Sequence, residues 1–200
     1  GGLGNDVLSG GDGSDTYVYR RNDGDDRIED NGFGDDDVVQ LHGYLPSDVH
    51  VSVPADDPSA IELRFDGNND VLRLVNTLGG DLGDQIERIV FDDGSTWTMA
   101  SVRAMLVGEQ ATPAADRITG FFDADVLDGG TGDDALHGGD GSDSYVWRPG
   151  DGNDTVRDLG FGDTDTLRLH GVLPADVRPG AHAGEADTLL LQVLSTGESL

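Results

Sequence analysis

A nine-residue pattern repeated in tandem constrains this chain more than any other feature. Gly1-Gly2-Leu3-Gly4-Asn5-Asp6-Val7-Leu8-Ser9 is followed at once by Gly10-Gly11-Asp12-Gly13-Ser14-Asp15-Thr16-Tyr17-Val18. The shared form is G-G-x-G-x-D-x-(apolar)-x, and residues 129–137 and 138–146 repeat it. Residues 120–128 carry a weaker version that lacks the second and fourth glycines.

Each position has a physical reason. Glycines let the backbone turn tightly, including through positive φ, and leave carbonyl oxygens exposed. The aspartate at position six adds a carboxylate oxygen, and hard oxygen ligands are what Ca²⁺ prefers. The triplet that follows is a short strand whose central side chain points inward: Leu8, Tyr17, Leu127, Leu136 and Tyr145. Two nonapeptides would make one coil of a roll. Turns would then stack along each edge, with Ca²⁺ between turn i and turn i+2.

A longer period encloses the short one. Residues 1–49 align without a gap on residues 129–177, a shift of 128, and roughly 30 of the first 50 positions are identical. Tyr17 matches Tyr145, Phe33 matches Phe161, and Leu41-His42-Gly43 matches Leu169-His170-Gly171. Low complexity does not explain this, because aromatic, Leu and Pro positions coincide too. The pattern continues in looser turns, Asp23-Gly24-Asp25-Asp26 with Asp151-Gly152-Asn153-Asp154, then Gly32-Phe33-Gly34-Asp35 with Gly160-Phe161-Gly162-Asp163. These are the stacking partners that the tight repeats need. The chain begins inside a motif and stops inside a second copy of its own pattern, so it reads as a segment of a longer protein.

Composition narrows the function classes. Asp and Glu number 40 against 12 basic residues, all Arg, for a net charge of −28. Such an excess repels nucleic acid and anionic membranes and would destabilise a compact fold without bound cations. Cysteine is absent, which excludes disulfides and thiolate chemistry. No apolar run has the length of a membrane span.

The nonapeptides resemble those of RTX, or haemolysin-type calcium-binding, proteins. The segment after the first block is similar to the haemolysin-type calcium-binding related domain. It carries Asp23-Gly24-x-Asp26, Leu41-x-Gly43-x-x-Pro46-x-Asp48-Val49 and Ile86-Glu87-x-Ile89-x-Phe91-x-Asp93-Gly94-x-x-Trp97-Thr98. The resemblance implies an all-β fold of two calcium-binding parallel β-rolls with a β-rich flank and one short capping helix. It also implies Ca²⁺ as the bound ion, the type I secretion machinery of a Gram-negative bacterium as partner, and folding outside the cell. The candidate ligands are Gly2, Gly4, Asp6, Gly11, Gly13, Asp15, Asp23 and Asp26 in the first block. In the second they are Asp125, Gly130, Gly132, Asp134, Gly138, Gly139, Asp140, Gly141, Asp143, Asp151 and Asp154. Residues 129–146 form the strongest block, whereas sites using the Phe121 or Asp123 carbonyls are the ones expected to be lost.

The expected organisation is a first roll at 1–48, a flank at 49–108, a linker at 109–119, a second roll at 120–178 and the start of a second flank at 179–200. Within the first flank, residues 49–53, 60–65, 70–76, 87–91 and 96–98 read as strands. Thr98 caps a helix over 99–107 with Val102, Met105 and Leu106 on one face, and Gly108 ends it. The flank is expected to cover the exposed strand edge of the roll.

Other candidates are weaker. Asp66-x-Asn68-x-Asp70 resembles the start of an EF-hand loop, but Val71 replaces the required glycine and a strand-connecting turn is the better reading. His42 and His170 recur without a second histidine at ligand spacing, and Asp57-Pro58 is a lone dipeptide best read as a loop. None of H-E-x-x-H, G-x-S-x-G or G-x-x-x-x-G-K-[ST] is present. The reading is therefore a non-catalytic calcium-binding module of a larger secreted effector. The alternative is a repeat unit of an extracellular, calcium-stiffened adhesin or spacer array.

Overall fold

The computed structural model describes residues 1–30, 32, 36–78, 86–160, 164–181 and 188–200. Residues 33–35 and 161–163 of the two looser turns lie outside them. The chain divides into two units, Gly1–Leu106 and Val107–Leu200.

In the first unit the glycine turns alternate with strands too short to be anything but rungs. They are β1 (Val7–Leu8), β2 (Thr16–Arg20), β3 (Asp26–Ile28) and β4 (Val38–His42). Odd and even rungs separate onto two sheets. β1 pairs parallel with β3, and β2 pairs parallel with β4, so each turn lies against the turn two nonapeptides away. The flank follows as β5 (Val49–Ser52), β6 (Ile61–Phe65), β7 (Val71–Leu74), β8 (Arg88–Phe91), β9 (Thr96–Thr98) and α1 (Met99–Gly108).

The flank does more than cover an edge. β7 adds parallel to β3 and β8 adds parallel to β4, which extends both sheets by one rung. Each sheet then changes to antiparallel pairing, β7 with β6 and β6 with β5 in one, and β8 with β9 in the other. The strand spacing of the roll is thus continued by hairpins, which need no glycine turn stacked beyond them. Asp66–Asp70 is the turn between β6 and β7. Tyr19, Tyr44 and Phe65 stack in the core, with Phe65 centroids 5.1 and 4.3 Å from the two tyrosines. The Thr98 hydroxyl accepts the Ser101 N–H at 3.2 Å at the start of α1. Met99, Val102, Leu106 and Val107 are buried, whereas Met105 is only half-buried, so the helix face is turned from the one expected.

The second unit repeats the scheme. β10 (Arg117–Thr119), β12 (Ala135–His137) and β14 (Thr155–Arg157) form one parallel sheet. β11 (Val126–Asp128), β13 (Ser144–Trp147) and β15 (Thr166–Leu169) form the other. An antiparallel pair follows, β16 (Val177–Ala181) and β17 (Leu189–Val193). Ile118, Leu127, Leu136 and Tyr145 close the core with Val107. All but Val107 stand at position eight of their nonapeptides, where burying each side chain contributes about 1.5–3 kcal/mol.

One stretch differs from its sequence reading. Residues 109–119, expected as a linker, end in a turn and in β10, which pairs with β12. The reason is that Asp116 and Ile118 occupy positions six and eight of a nonapeptide without glycines.

Candidate metal centre

Parallel stacking of the coils places the position-six aspartates in ladders. In each ladder the N–H of one aspartate donates to the carboxylate of the next turn. Asp6 donates to Asp26 Oδ1 at 2.9 Å, and Asp15 donates to Asp37 Oδ1 at 2.6 Å. Asp37 passes the ladder to Glu87 at 2.5 Å. In the second unit Asp116 donates to Asp134 at 2.8 Å and Asp134 to Asp154 at 2.9 Å. Asp125 donates to Asp143 at 2.8 Å and Asp143 to Asp165 at 3.0 Å.

These bonds use Oδ1 of Asp26, Asp134 and Asp143 as acceptor. Oδ2 of those three, and of Asp6 and Asp15, is buried without a hydrogen-bond partner. A buried carboxylate oxygen with no donor is costly, and a hard cation relieves that cost. Each Oδ2 of Asp6, Asp15, Asp134 and Asp143 lies against the glycine that opens its own nonapeptide, where a β-carbon would collide with it.

Backbone carbonyls complete the donor set. In four stacked pairs the fourth-position carbonyl of one turn abuts the fourth-position glycine of the next. Gly4 faces Gly24, Ala114 faces Gly132, Gly132 faces Gly152, and Asp123 faces Gly141. Gly132, at φ +142°, needs its missing side chain twice over, for the backbone angle and for the Ala114 carbonyl. Residues 111–116 have no glycine and residues 120–125 keep only Gly120. They are the first turns of their stacks, so no earlier carbonyl presses on them. The Phe121 and Asp123 carbonyls reach Gly139 and Gly141 much as the Gly4 carbonyl reaches Gly24.

Burial pushes the carboxyls of Asp37, Asp143 and Asp154 up to about 6, and neighbouring carboxylates add to the rise. Asp26, Asp151 and Glu87 are raised for the same leading reason.

The candidate ligands do not all converge. Asp6, Asp15, Asp26, Asp125, Asp134, Asp143 and Asp154 are ladder members. Gly2, Gly4, Gly11, Gly13, Gly130, Gly132, Gly139 and Gly141 shape the turns at positive φ, and Gly138 lies under Asp143. Asp23 and Asp151 turn back to accept the N–H of Arg20 at 2.9 Å and Arg148 at 2.6 Å, within their own turns. Asp140 is exposed and belongs to neither ladder.

Sequence reasoning missed Asp30, Asp37, Glu87, Asp116, Asp158 and Asp165. The carboxylate oxygens of Asp15, Asp30 and Asp37 lie within 4.8 Å of one another, as do those of Asp143, Asp158 and Asp165. The signal was present, because these two triplets are related by the 128-residue shift.

Residues 1–19 and 111–145 match the RTX calcium-binding nonapeptide repeat (4 copies). These are RTX repeats. Repeats of this kind bind calcium, and the RTX assignment accounts for the glycine-lined turns and the aspartate ladders together. Residues 61–101 match the haemolysin-type calcium binding protein related domain, the part of the flank that extends both RTX sheets. No curated protein matches the chain significantly. The extracellular lipase LipA from Serratia marcescens is similar over 98% of this chain at 17% identity, with a TM-score of 0.26. The chain spans 35% of that lipase's length, and so low a likeness carries no argument. Among the described residues no helix is long and apolar enough to cross a membrane.

Proposed function

We propose that this chain is a calcium-binding RTX module that folds on Ca²⁺ outside the cell, as a non-catalytic part of a larger protein exported by type I secretion. The observation that carries the reading is the set of buried, unpartnered Oδ2 atoms on the aspartate ladders. Asp6 with Asp26, Asp15 with Asp37, Asp116 with Asp134, Asp134 with Asp154, Asp125 with Asp143 and Asp143 with Asp165 would hold the ions, aided by turn carbonyls. Bound Ca²⁺ supplies positive charge and hard coordination.

Magnitude supports dependence of the fold on the ion. Two carboxylates at about 4 Å repel by roughly 4 kcal/mol at an effective dielectric of about 20, and stacked turns meet this repeatedly. A whole domain is stable by only about 5–15 kcal/mol. In a calcium-poor cytosol the chain would stay unfolded and fit for export. Circular dichroism in excess chelator is expected to be coil-like and to become β-rich in millimolar Ca²⁺. A spectrum unchanged between the two conditions would sink the proposal.

A second reading is a unit of an extracellular spacer or adhesin array. What favours it is that β17 (Leu189–Val193) reproduces β6 (Ile61–Phe65) at the same 128-residue offset. Further copies of that period in the full-length protein would support the array, and a catalytic or pore-forming region beside the module would support the effector.

A further inference from the structure

Two carboxylates in the ion-binding region stand outside the nonapeptide pattern. Asp30 and Asp158 fall in a two-residue extension between the two looser turns of each unit, at matched positions. Each is held by a tyrosine from the second nonapeptide of its block. The Tyr17 hydroxyl donates to Asp30 Oδ2 at 2.5 Å and the Tyr145 hydroxyl to Asp158 Oδ2 at 2.6 Å. The following glycines, Gly32 and Gly160, donate to the other oxygen at 3.1 and 2.9 Å. Tyrosine is the one position-eight side chain in each block long enough to cross the core and end in a donor at the turn.

The result is a corner with three carboxylates, where the ladder alone supplies two. Asp143 is 1% exposed and its Oδ2 has no hydrogen-bond partner. That oxygen and the Tyr145 hydroxyl both lie directly over Gly138, on the side of the corner where Tyr145 holds Asp158. In the first unit Asp15 Oδ2 and the Tyr17 hydroxyl share Gly10 in the same way. Among the described residues, these two corners are where three carboxylates come within 4.8 Å. The β1–β3 and β12–β14 corners have ladder aspartates without this third partner.

We propose that Asp30 and Asp158 are additional Ca²⁺ ligands, which give each unit one three-carboxylate corner that binds its ion more tightly than the two-carboxylate nonapeptide corners. This rests on the calcium-binding reading and adds an order of filling to it. Ligand charge count is a main determinant of calcium affinity, so the third carboxylate separates tight from weak ions. The charge does the binding, and the Gly160 N–H still holds the Asp158 carboxylate when the tyrosine hydroxyl is removed.

The test is a calorimetric Ca²⁺ titration of the whole 200-residue chain, with bound ions counted by native mass spectrometry. Asp158→Asn keeps an oxygen to accept from Tyr145 but removes the charge. It is expected to weaken one tight ion at least tenfold, and Asp30→Asn with Asp158→Asn to weaken two. Tyr145→Phe, which leaves the carboxylate in place, is expected to keep the tight ion within about threefold. Unchanged affinity in Asp158→Asn, beside normal binding by the parent chain, overturns this inference alone. Loss of the ion in Tyr145→Phe equal to that in Asp158→Asn also overturns it, because a structural hydrogen bond would then be the cause. A parent chain that binds no Ca²⁺ overturns the calcium reading and this one together.

Discussion

The N–H of Asp134 donates to the Asp154 carboxylate at 2.9 Å, twenty residues along the chain and one coil along the stack. The Asp134 carboxylate in turn accepts the Asp116 N–H at 2.8 Å. Each aspartate is therefore both a rung of the backbone ladder and a source of the negative charge that a bound cation offsets.

Asp134→Ala removes an acceptor, a carboxylate and the buried Oδ2 at once. The midpoint of Ca²⁺-induced folding of the second unit is expected to rise at least tenfold, which corresponds to about 1.4 kcal/mol. Asp140→Ala, on an exposed residue outside the ladders, is expected to move it less than twofold. A circular dichroism titration in which both variants shift equally would contradict the ladder as the binding element.

The carboxyls of Asp37, Asp143 and Asp154 sit near 6 in the fold against an ordinary value of 3.8. The sign follows from linkage: a folded value raised above the unfolded one stabilises below the unfolded value and is lost as pH rises. Without Ca²⁺, any β structure present at pH 4 is expected to be lost as pH rises to about 6.5. With Ca²⁺ the ion competes with protons, so apparent affinity is expected to rise over the same window. Circular dichroism in chelator that gains β structure from pH 4 to pH 7 would refute this.

Gly150 and Gly152 share one turn and similar backbone angles, φ +102° and +113°. A β-carbon on Gly150 meets nothing, whereas one on Gly152 runs into the Gly132 carbonyl. Gly150→Ala is expected to cost only the backbone strain, about 1–3 kcal/mol. Gly152→Ala adds separation of two stacked turns and is expected to lose the β signal at calcium levels that saturate the parent chain.

Leu136 is 1% exposed and fills the core between Ile118, Leu127 and Tyr145. Leu136→Ala is expected to cost about 2–5 kcal/mol of stability in Ca²⁺. Thermal melts that place it level with an exposed change such as Val126→Ala would contradict this core.

How much was legible differs from segment to segment. The nonapeptide rungs could be read directly, because a glycine turn of fixed length leaves only a triplet for the strand. The flank strands could be read from alternation, but their direction could not. β7 runs parallel to β3 and antiparallel to β6, and nothing local to Val71–Leu74 encodes both choices. Residues 111–116 carry no glycine to mark them as a turn, and as the first turn of their stack they meet no earlier carbonyl that demands one. Their position-six aspartate and position-eight isoleucine were the surviving marks.

The sequence by itself determined the repeat and the carboxylate and carbonyl chemistry of its turns, since these follow from residue type and spacing along the chain. Which carboxylates meet was decided by the tertiary structure. Asp30 and Asp37 join Asp15, and Asp158 and Asp165 join Asp143, because parallel stacking brings together turns some twenty residues apart. That placement depends on register between coils, and register is a property of packed side chains and paired backbones, not of any single nonapeptide.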